Sequence, residues 1–474
     1  MSSAPVDVAG DRHYGARVAA VEPGGAEVIP LSERHGRPVQ MLWTWISPNM
    51  EFSTIYVGAL GLIFGLGFWQ TFWAVVIGSA LGSTTQAVLS SWGPDTGYCQ
   101  MVLSRRAFGY RGNILPAGLN WLVAGVGWFA VNSVSGAFAL SALTGLDLYL
   151  ALAVVVVLML LLAFFGHNLI HVFERFAAPV LTVIFLAGGV VILSKAHLGA
   201  PAAGAFPGAW WVLLGATFGY AAGWNPYGAD YTRYLPPGTG RPAGIFAGLG
   251  VLVSCVLLES FGAAAFSVLG GGSYTGNPTL GYTSVLPDWL GKLTLLGIAL
   301  GAVAANALNV YSSAISFAAM GFTVRLHWLR AAIAVVMGIA GFVVASFGLH
   351  NIASYESFLL VIAYWVGPWL AVVFADRLLR RFRPGETVYS DTGYRNWAGF
   401  VAMLVSAVLS IWLFSNQTFY RGPVAARLAQ IGDLTFQVGF VLAFVLYLVL
   451  YRRLADPIRV TAPEPGTARS TGAR

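Results

Sequence analysis

Long apolar runs dominate the chain and restrict what it can fold into. Twelve segments are apolar over the length that a helix needs to cross a bilayer, about 18 to 20 residues. They lie at residues 39–67, 69–90, 115–143, 148–166, 174–194, 209–229, 242–268, 291–319, 325–347, 353–375, 396–415 and 431–451. Because backbone polar groups find no water in the bilayer core, such runs fold as helices. The sequence therefore predicts an all-α polytopic membrane protein with twelve transmembrane helices.

Charge and cysteine content exclude several other classes. Charged residues make up 9% of the chain and hydrophobic residues 57%, whereas a soluble domain carries about 25% charged residues. The net charge of +7 is interpreted as the basic bias of cytoplasmic loops, and no nucleic-acid partner is predicted. The two cysteines, Cys99 and Cys255, do not indicate a disulfide framework.

Basic residues orient the predicted helices. With the N-terminus in the cytoplasm, 22 of the 26 lysines and arginines lie in segments on the cytoplasmic side and 4 on the opposite side. This asymmetry predicts a multi-pass protein of the cell (plasma) membrane, in contact with the lipid bilayer, with both termini cytoplasmic. A membrane domain over residues 38–455 is predicted between a disordered N-terminal tail, residues 1–37, and a C-terminal tail, residues 456–474.

Prolines interrupt the first and sixth apolar segments at corresponding positions. Pro48 and Pro226 lie 178 residues apart, close to the offsets of 176 and 179 residues between the starts of other matched segments. A proline removes a backbone donor and blocks the preceding helical turn. Since each copy holds five segments, we expect an inverted repeat of residues 39–194 and 209–375, with a binding site near the bilayer midplane. Residues 396–451 hold the two extra helices.

Polar side chains inside the apolar segments suit a flat, neutral molecule. Trp128 and Asn132 are four residues apart and share a face of the third helix, as Asn306 and Asn309 share a face of the eighth. A buried amide is costly unless it is paired, and it both donates and accepts hydrogen bonds. Ordinary packing of a tryptophan and hydrogen bonding between helices explain the same pattern without a ligand.

Acidic residues at bilayer depth are candidates for carrying a proton. Glu51 and Glu259 lie inside apolar segments, where a charge costs about 2.5–3.5 kcal/mol on insertion scales. Each is therefore expected to be protonated, paired or hydrated. Asp230 and Arg233, three residues apart at the inner end of the sixth segment, are expected to form an ion pair or a gate.

Motifs of enzymes and ATP-driven pumps are absent from the sequence. The pair His167 and His171 has the spacing of a metal site, but no glutamate follows His167 as the HExxH pattern requires. No GxxxxGK[ST] phosphate-binding loop is present. We therefore predict that the chain is not an enzyme and holds no metal or cofactor.

Five stretches of the chain resemble one known family. GWNPYGADYTRYLP, residues 223–236, resembles the signature after the sixth helix in the purine–cytosine permease branch of the nucleobase–cation symporter family. Similar stretches are RHGRPVQMLWTWISPNM, GWFAVN, HVFER and NALNVYSS, so that the resemblance covers residues 34–450. It implies a LeuT-like fold of five plus five helices with two further C-terminal helices. It also implies import of a nucleobase, cytosine and/or purines, by cation symport and alternating access.

The resemblance implies roles for individual residues. One aromatic plate over the base falls on Trp128, and the second falls on Trp224 as first choice or on Tyr220 one turn earlier. The polar groups that read the edges of the base are Ser47, Asn132, Asn306 and Asn309. Glu174 matches a family glutamate that supports the site or a gate.

The coupling ion is H+ or Na+, and one departure from the family favours the proton. Sodium-coupled relatives place Ser or Thr oxygens where this chain has Ala304 and Ala305, and methyl groups cannot bind sodium. Glu51 or Glu259 would then carry the proton. The alternatives are a hydantoin, allantoin or uracil transporter of the same family, an amino-acid transporter of the same fold, and a membrane protein without transport activity. The sequence indicates no oligomeric state.

Overall fold

The described chain is helical. A computed structural model describes residues 25–460 apart from 166, 203, 270–275, 323–325, 349–353 and 384–385. Within these residues the β-structure is limited to isolated bridges. The α-helices in chain order are α1 Gln40–Ile46, α2 Phe52–Ile63, α3 Phe68–Ser90, α4 Gly93–Thr96, α5 Gln100–Leu103, α6 Arg105–Gly112, α7 Ile114–Leu122, α8 Phe129–Thr144, α9 Leu148–Phe165, α10 His167–Lys195, α11 Ala209–Ala222, α12 Gly240–Leu269, α13 Pro278–Thr283, α14 Asp288–Ala319, α15 Leu326–Gly348, α16 Ser354–Leu379, α17 Trp397–Phe414, α18 Pro423–Arg427 and α19 Thr435–Leu454.

The first apolar segment folds as two helices with a break between them. A 3₁₀ turn over Ser47–Asn49 separates α1 from α2. Pro48 within this turn cannot donate to a helical hydrogen bond. Glu51, the residue before α2, caps the new helix by accepting from two backbone amides. The interruption predicted at Pro48 is confirmed.

The sixth segment breaks in a similar way. α11 ends at Ala222, and 3₁₀ turns over Asn225–Tyr227 and Thr232–Tyr234 follow it. Pro226 lies in the first of these turns, as the sequence predicts. Both breaks are buried, so that their backbone groups depend on other parts of the protein for hydrogen bonds.

Helix contacts divide the membrane region into two groups. In the first group, α3 packs against α11 and α12, and α12 packs against α1 and α2. In the second group, α14 packs against α8 and α9, and α15 contacts both of these helices. The two groups meet where α8 contacts α2 and where α14 contacts the 3₁₀ turn of the first segment. Both broken helices therefore belong to one group and face the other.

Glycines allow backbones to touch where α2 crosses α12. A Cβ atom at Gly58 would lie 1.7 Å from the Glu259 carbonyl oxygen, and one at Gly262 would lie 1.8 Å from the Ile55 carbonyl oxygen. In lipid the hydrophobic effect does not hold helices together, and close packing between small residues provides much of the attraction instead. The two helices can cross at this distance because neither glycine carries a side chain.

Eight helical runs in the described residues are long and apolar enough to cross a membrane. They contain α3, α7 with α8, α10, α12, α14, α16, α17 and α19. A π-helical turn over Val123–Trp128 joins α7 to α8. The sequence predicted that the fifth segment starts at residue 174, but α10 begins at His167. Its first turns are polar and were interpreted as a loop, whereas in the structure α10 packs against α1.

The predicted tails are described only in part, since residues 1–24 and 461–474 lie outside the described residues. After residue 24 the chain packs against the helices. Arg233 Nη1 donates to the Gly25 carbonyl oxygen at 2.6 Å, and Ile29 is buried. The packed part of the chain therefore begins before residue 38, where the sequence placed the start of the membrane domain.

Candidate functional site

Side chains next to the first break satisfy its backbone groups. The Asn49 side-chain amide donates to the Trp45 carbonyl oxygen at 2.8 Å, and the Thr54 hydroxyl donates to the Asn49 carbonyl oxygen at 2.6 Å. Ser47, one of the predicted edge-reading residues, is completely buried in the turn. The break is thus a polar centre inside an apolar domain.

Glu51 lies at this polar centre and is completely buried. Its carboxyl group accepts from the backbone amides of Ser53 at 2.8 Å and Thr54 at 3.2 Å, and also from the Ser53 hydroxyl. The Tyr220 hydroxyl of α11 donates to Glu51 Oε1 at 3.3 Å. These neighbours are neutral donors, so hydrogen bonds rather than an adjacent cation hold the carboxyl group in place.

An amide network joins α8, α14 and the sixth segment. Asn132 Nδ2 and Asn309 Nδ2 both donate to Asn306 Oδ1, each at 3.1 Å. The Tyr227 hydroxyl donates to Asn309 Oδ1 at 3.1 Å. Asn306 Nδ2 in turn donates to the Phe129 carbonyl oxygen at 2.8 Å. The structure thus brings the three predicted amides into direct contact with one another.

Trp128 lies in a cluster of aromatic rings. Its ring centre is 5.4 Å from that of Tyr220 and 5.2 Å from that of Phe358, with interplanar angles of 83° and 76°. Tyr355 contributes a third edge-to-face contact at 6.4 Å. Perpendicular packing of this kind is favourable between aromatic rings. In this structure the rings touch one another instead of standing one base-width apart.

Trp224 faces the first segment instead. Its ring centre lies 5.7 Å from that of Trp45. Its indole Nε1 donates to Asn49 Oδ1 at 2.8 Å. Of the two aromatic residues predicted as a second plate, Tyr220 contacts Trp128, and Trp224 links the breaks of the first and sixth segments.

The other predicted carboxyl groups of the membrane region lie around the first group of helices. Glu174 of α10 lies near the Ser47 hydroxyl. Within the described residues, neither of its carboxyl oxygens makes a hydrogen bond. Glu259 of α12 accepts a long hydrogen bond of 3.4 Å from the Ser79 hydroxyl. Among the contacts of the described residues, those of Glu51 reach both broken segments, through Ser53 and Thr54 of the first and Tyr220 of the sixth.

Asp230 and Arg233 lie in the turns after α11. Asp230 Oδ1 accepts from the Gln100 backbone amide at 2.8 Å. The Arg233 guanidinium stacks 5.3 Å from the centre of the Tyr234 ring, and its Nη2 donates to the Tyr311 hydroxyl of α14 at 3.3 Å. These contacts connect the end of the sixth segment to α5 and to the second helix group.

A cavity of about 220 Å³ lies beside the aromatic cluster. Its wall includes Ser53 of α2, Gly127 and Val131 of the third segment, and Phe358 of α16. Trp128 packs against Phe358, and Asn132 Oδ1 accepts from the Ser53 hydroxyl. Two of the predicted site residues therefore contact the wall of the cavity.

A sequence model of a known family matches most of the chain. The model describes a permease for cytosine/purines, uracil, thiamine and allantoin, and it matches residues 28–439. The chain belongs to this permease family. It is therefore a multi-pass membrane transporter and not an enzyme, as the sequence predicts.

Three similar proteins are named as permeases for cytosine or for purines and cytosine. The putative purine-cytosine permease YxlA of Bacillus subtilis is 27% identical over 453 residues, covering 91% of this chain and 96% of the relative. The purine-cytosine permease FCY2 of Saccharomyces cerevisiae is 27% identical over 446 residues, covering 86% and 81%. The cytosine permease of Escherichia coli K12 is 28% identical over 405 residues, covering 81% and 88%.

Solved structures share the fold of the permease. Mhp1, a nucleobase-cation-symport-1 family transporter in a closed conformation with bromovinylhydantoin bound, matches with a TM-score of 0.72 at 20% identity over 91% of this chain and 95% of Mhp1. A Na+-coupled sialic acid symporter matches with a TM-score of 0.61 at 12% identity, over 90% and 92% of the two chains. The LeuT-like helical fold implied by the resemblance is confirmed.

Three residues around the site of the permease were not selected from the sequence. The Ser53 hydroxyl donates to Asn132 Oδ1 at 3.3 Å, the Tyr355 hydroxyl donates to the Ser53 carbonyl oxygen at 3.3 Å, and Phe358 packs on Trp128. The position of Ser53 just after a proline break was a usable signal. Tyr355 and Phe358 lie at the start of the tenth apolar segment among Ser354, Glu356 and Ser357, and neither a helix break nor a shared polar face distinguishes them.

Cys99 tests how tightly the permease is closed near Asp230 and Arg233. Burial raises the pKa of the Cys99 thiol to about 12. A Cys255→Ala variant leaves Cys99 as the single cysteine of the chain. Since the thiolate is the reactive form, we expect Cys99 in this variant to resist N-ethylmaleimide at pH 7 and to react after denaturation in guanidinium. Intact-mass spectrometry measures the modification. Modification of the folded protein at the rate of the denatured one would contradict the observed packing.

Proposed function

We propose that the permease imports a nucleobase, cytosine and/or a purine, together with a proton. The observation that carries this proposal is the buried network of Asn132, Asn306 and Asn309 beside the Trp128 ring. Neutral amides can match the donors and acceptors on the edge of a heterocycle, and a mismatched buried polar group is penalised by about 1–3 kcal/mol. Stacking on an aromatic ring adds about 1–3 kcal/mol per base.

Trp128 and Tyr220 are proposed as the two aromatic walls around the base. Their contact at 5.4 Å supports Tyr220 over Trp224, whose indole is engaged by Asn49. The base would separate the two rings by entering between them from the cavity side. Asn132 and Asn309 would then form hydrogen bonds with the edges of the base, while Ser47 would support the turn at the first break.

Glu51 is proposed as the proton carrier. Its contacts with Tyr220 and Ser53 place it next to the proposed base site, whereas Glu259 is held by Ser79. Ala304 and Ala305 are buried on α14 and supply only methyl groups where sodium would need oxygen ligands. Both facts favour H+ over Na+ as the coupling ion.

Alternating access in a twelve-helix protein is proposed as the transport mechanism. The eight long helical runs of the described residues, together with the broken first and sixth segments, α9 and α15, would make twelve spans. An even number and the arginine distribution support cytoplasmic termini. A five-plus-five inverted repeat, with α17 and α19 outside it, would allow the group with the broken helices to rock against the other. Glu174, Asp230 and Arg233 would act at the inner gate.

Uptake into proteoliposomes tests the proposed function. We expect radiolabelled cytosine or hypoxanthine to accumulate when the inside is made alkaline, and a sodium gradient alone to have no effect. Accumulation driven by sodium at equal pH would contradict proton coupling. Competition by hydantoin, allantoin or uracil, with no effect of cytosine and purines, would identify the alternative substrate class of the same family. An inhibitory amino acid would contradict both.

A further inference from the structure

Ser53 lies between the carboxyl group and the amide network. It is the second residue of α2 and is almost completely buried, with a relative exposure of 3%. Its hydroxyl is in hydrogen-bond contact with Glu51 Oε1 on one side and with Asn132 Oδ1 at 3.3 Å on the other. A serine hydroxyl has one proton and two acceptor lone pairs, so it donates fully to one of these oxygens at a time.

The contacts of Ser53 complete a continuous hydrogen-bonded chain. From Glu51 the chain runs through Ser53 to Asn132, then through Asn306 to Asn309. All five residues of this chain are buried, with relative exposures of 3% or less. Such networks respond as a unit, because a change in one donor alters the partner that its neighbour requires.

In the part of the chain that the structure describes, the side chains found around Glu51 include no arginine, lysine or histidine that would replace this link. α11 contributes Tyr220, and α16 contributes Tyr355, whose hydroxyl donates to the Ser53 backbone. α12 contributes Cys255, which lies near both tyrosines, and Glu259, which lies near Tyr355. α8 contributes the neutral Asn132, and α14 approaches the Glu51 side chain with Gly301.

On the basis of the proposed function, we propose that Ser53 is the positioning residue that couples protonation of Glu51 to nucleobase binding. The ionised carboxylate attracts the Ser53 hydroxyl most strongly, because hydrogen bonds to charged groups are the stronger ones. Asn132 Oδ1 then lacks this donor, and the amide is held by its Nδ2 bond to Asn306 alone. A protonated Glu51 donates its own proton to the Ser53 oxygen and releases the hydroxyl to Asn132. The amide is then oriented with its N–H groups toward Asn306 and the base.

The pH dependence of nucleobase binding tests this coupling. Binding of radiolabelled cytosine or hypoxanthine is measured on purified full-length protein by scintillation proximity between pH 5.5 and 8. One linked proton gives a Kd that rises about ten-fold per pH unit above the titration of Glu51. We expect this slope in the wild type and less than about two-fold change over the whole range in Ser53→Ala.

Two further variants separate coupling from simple loss of structure. Ser53→Thr keeps a hydroxyl and is expected to keep the slope, whereas Ser53→Cys has a weak donor and is expected to lose most of it. Ser254→Ala is the matched control, because the buried Ser254 hydroxyl bonds to the backbone of its own helix, α12. Its slope is expected to equal that of the wild type.

Transport provides a second readout. Ser53→Ala is expected to lose accumulation of base driven by a pH gradient, whereas the control Ser254→Ala is expected to keep it. A wild-type slope in both Ser53→Ala and Ser53→Cys would overturn the coupling role. Failure of the wild type to bind any nucleobase would instead overturn the proposed function, and with it the premise of this inference.

Discussion

The Trp128→Ala variant is expected to lose most nucleobase transport, with an affinity weaker by about 5- to 150-fold. This range corresponds to the stacking energy of about 1–3 kcal/mol that one aromatic ring provides to a base. The ring also contacts Tyr220 and Phe358, and a Cβ atom on Gly223 would lie 3.2 Å from it. Removal of the indole therefore deletes one wall of the proposed site. Equilibrium binding of radiolabelled base and initial uptake rates measure the effect.

Two variants serve as controls for the loss of Trp128. Trp128→Phe keeps an aromatic face and is expected to recover part of the affinity. Trp412→Ala removes an indole from α17 that is 56% exposed in the isolated chain, and it is expected to leave uptake unchanged. Normal uptake by Trp128→Ala at a normal amount of protein in the membrane would refute the role of this ring.

A second large effect is expected from Gly58→Val. The new Cβ atom would lie 1.7 Å from the Glu259 carbonyl oxygen, so that α2 and α12 would have to separate. Overpacking in a core usually costs about 1–3 kcal/mol, and a clash with a helix backbone is at the upper end because a backbone cannot rotate away. We expect little folded protein after detergent extraction and a lowered Tm in what remains. Fluorescence-detected size-exclusion chromatography and a thermal-shift measurement provide the readouts.

Gly199→Ala is the control for the crossing of α2 and α12. A Cβ atom at Gly199 meets no described atom within 4 Å, so this variant is expected to behave as the wild type. Gly262→Val should resemble Gly58→Val, because a Cβ atom there would lie 1.8 Å from the Ile55 carbonyl oxygen. A wild-type elution profile and Tm for Gly58→Val would show that the two helices do not cross closely.

Several features of the site follow from local sequence. Pro48 and Pro226 indicate the two breaks because the missing donor acts on the chain where it occurs. The shared faces of Trp128 with Asn132 and of Asn306 with Asn309 follow from the helical repeat. Hydropathy likewise indicates where long helices lie, although it placed the start of α10 too late by treating buried polar residues as a loop.

The apolar runs, the interrupted helices and the family of the permease were determined by the sequence alone, because they depend on residues that are close together along the chain. Which residues of different helices meet was decided by the tertiary structure. Thr54 contacts Tyr220 across 166 positions of sequence, and Ser53 contacts Asn132 across 79. Such pairs depend on how each helix is rotated about its axis and how closely glycines let it approach its neighbours. For that reason only the folded chain placed Tyr220 against Trp128 and Ser53 between the carboxyl group and the amides.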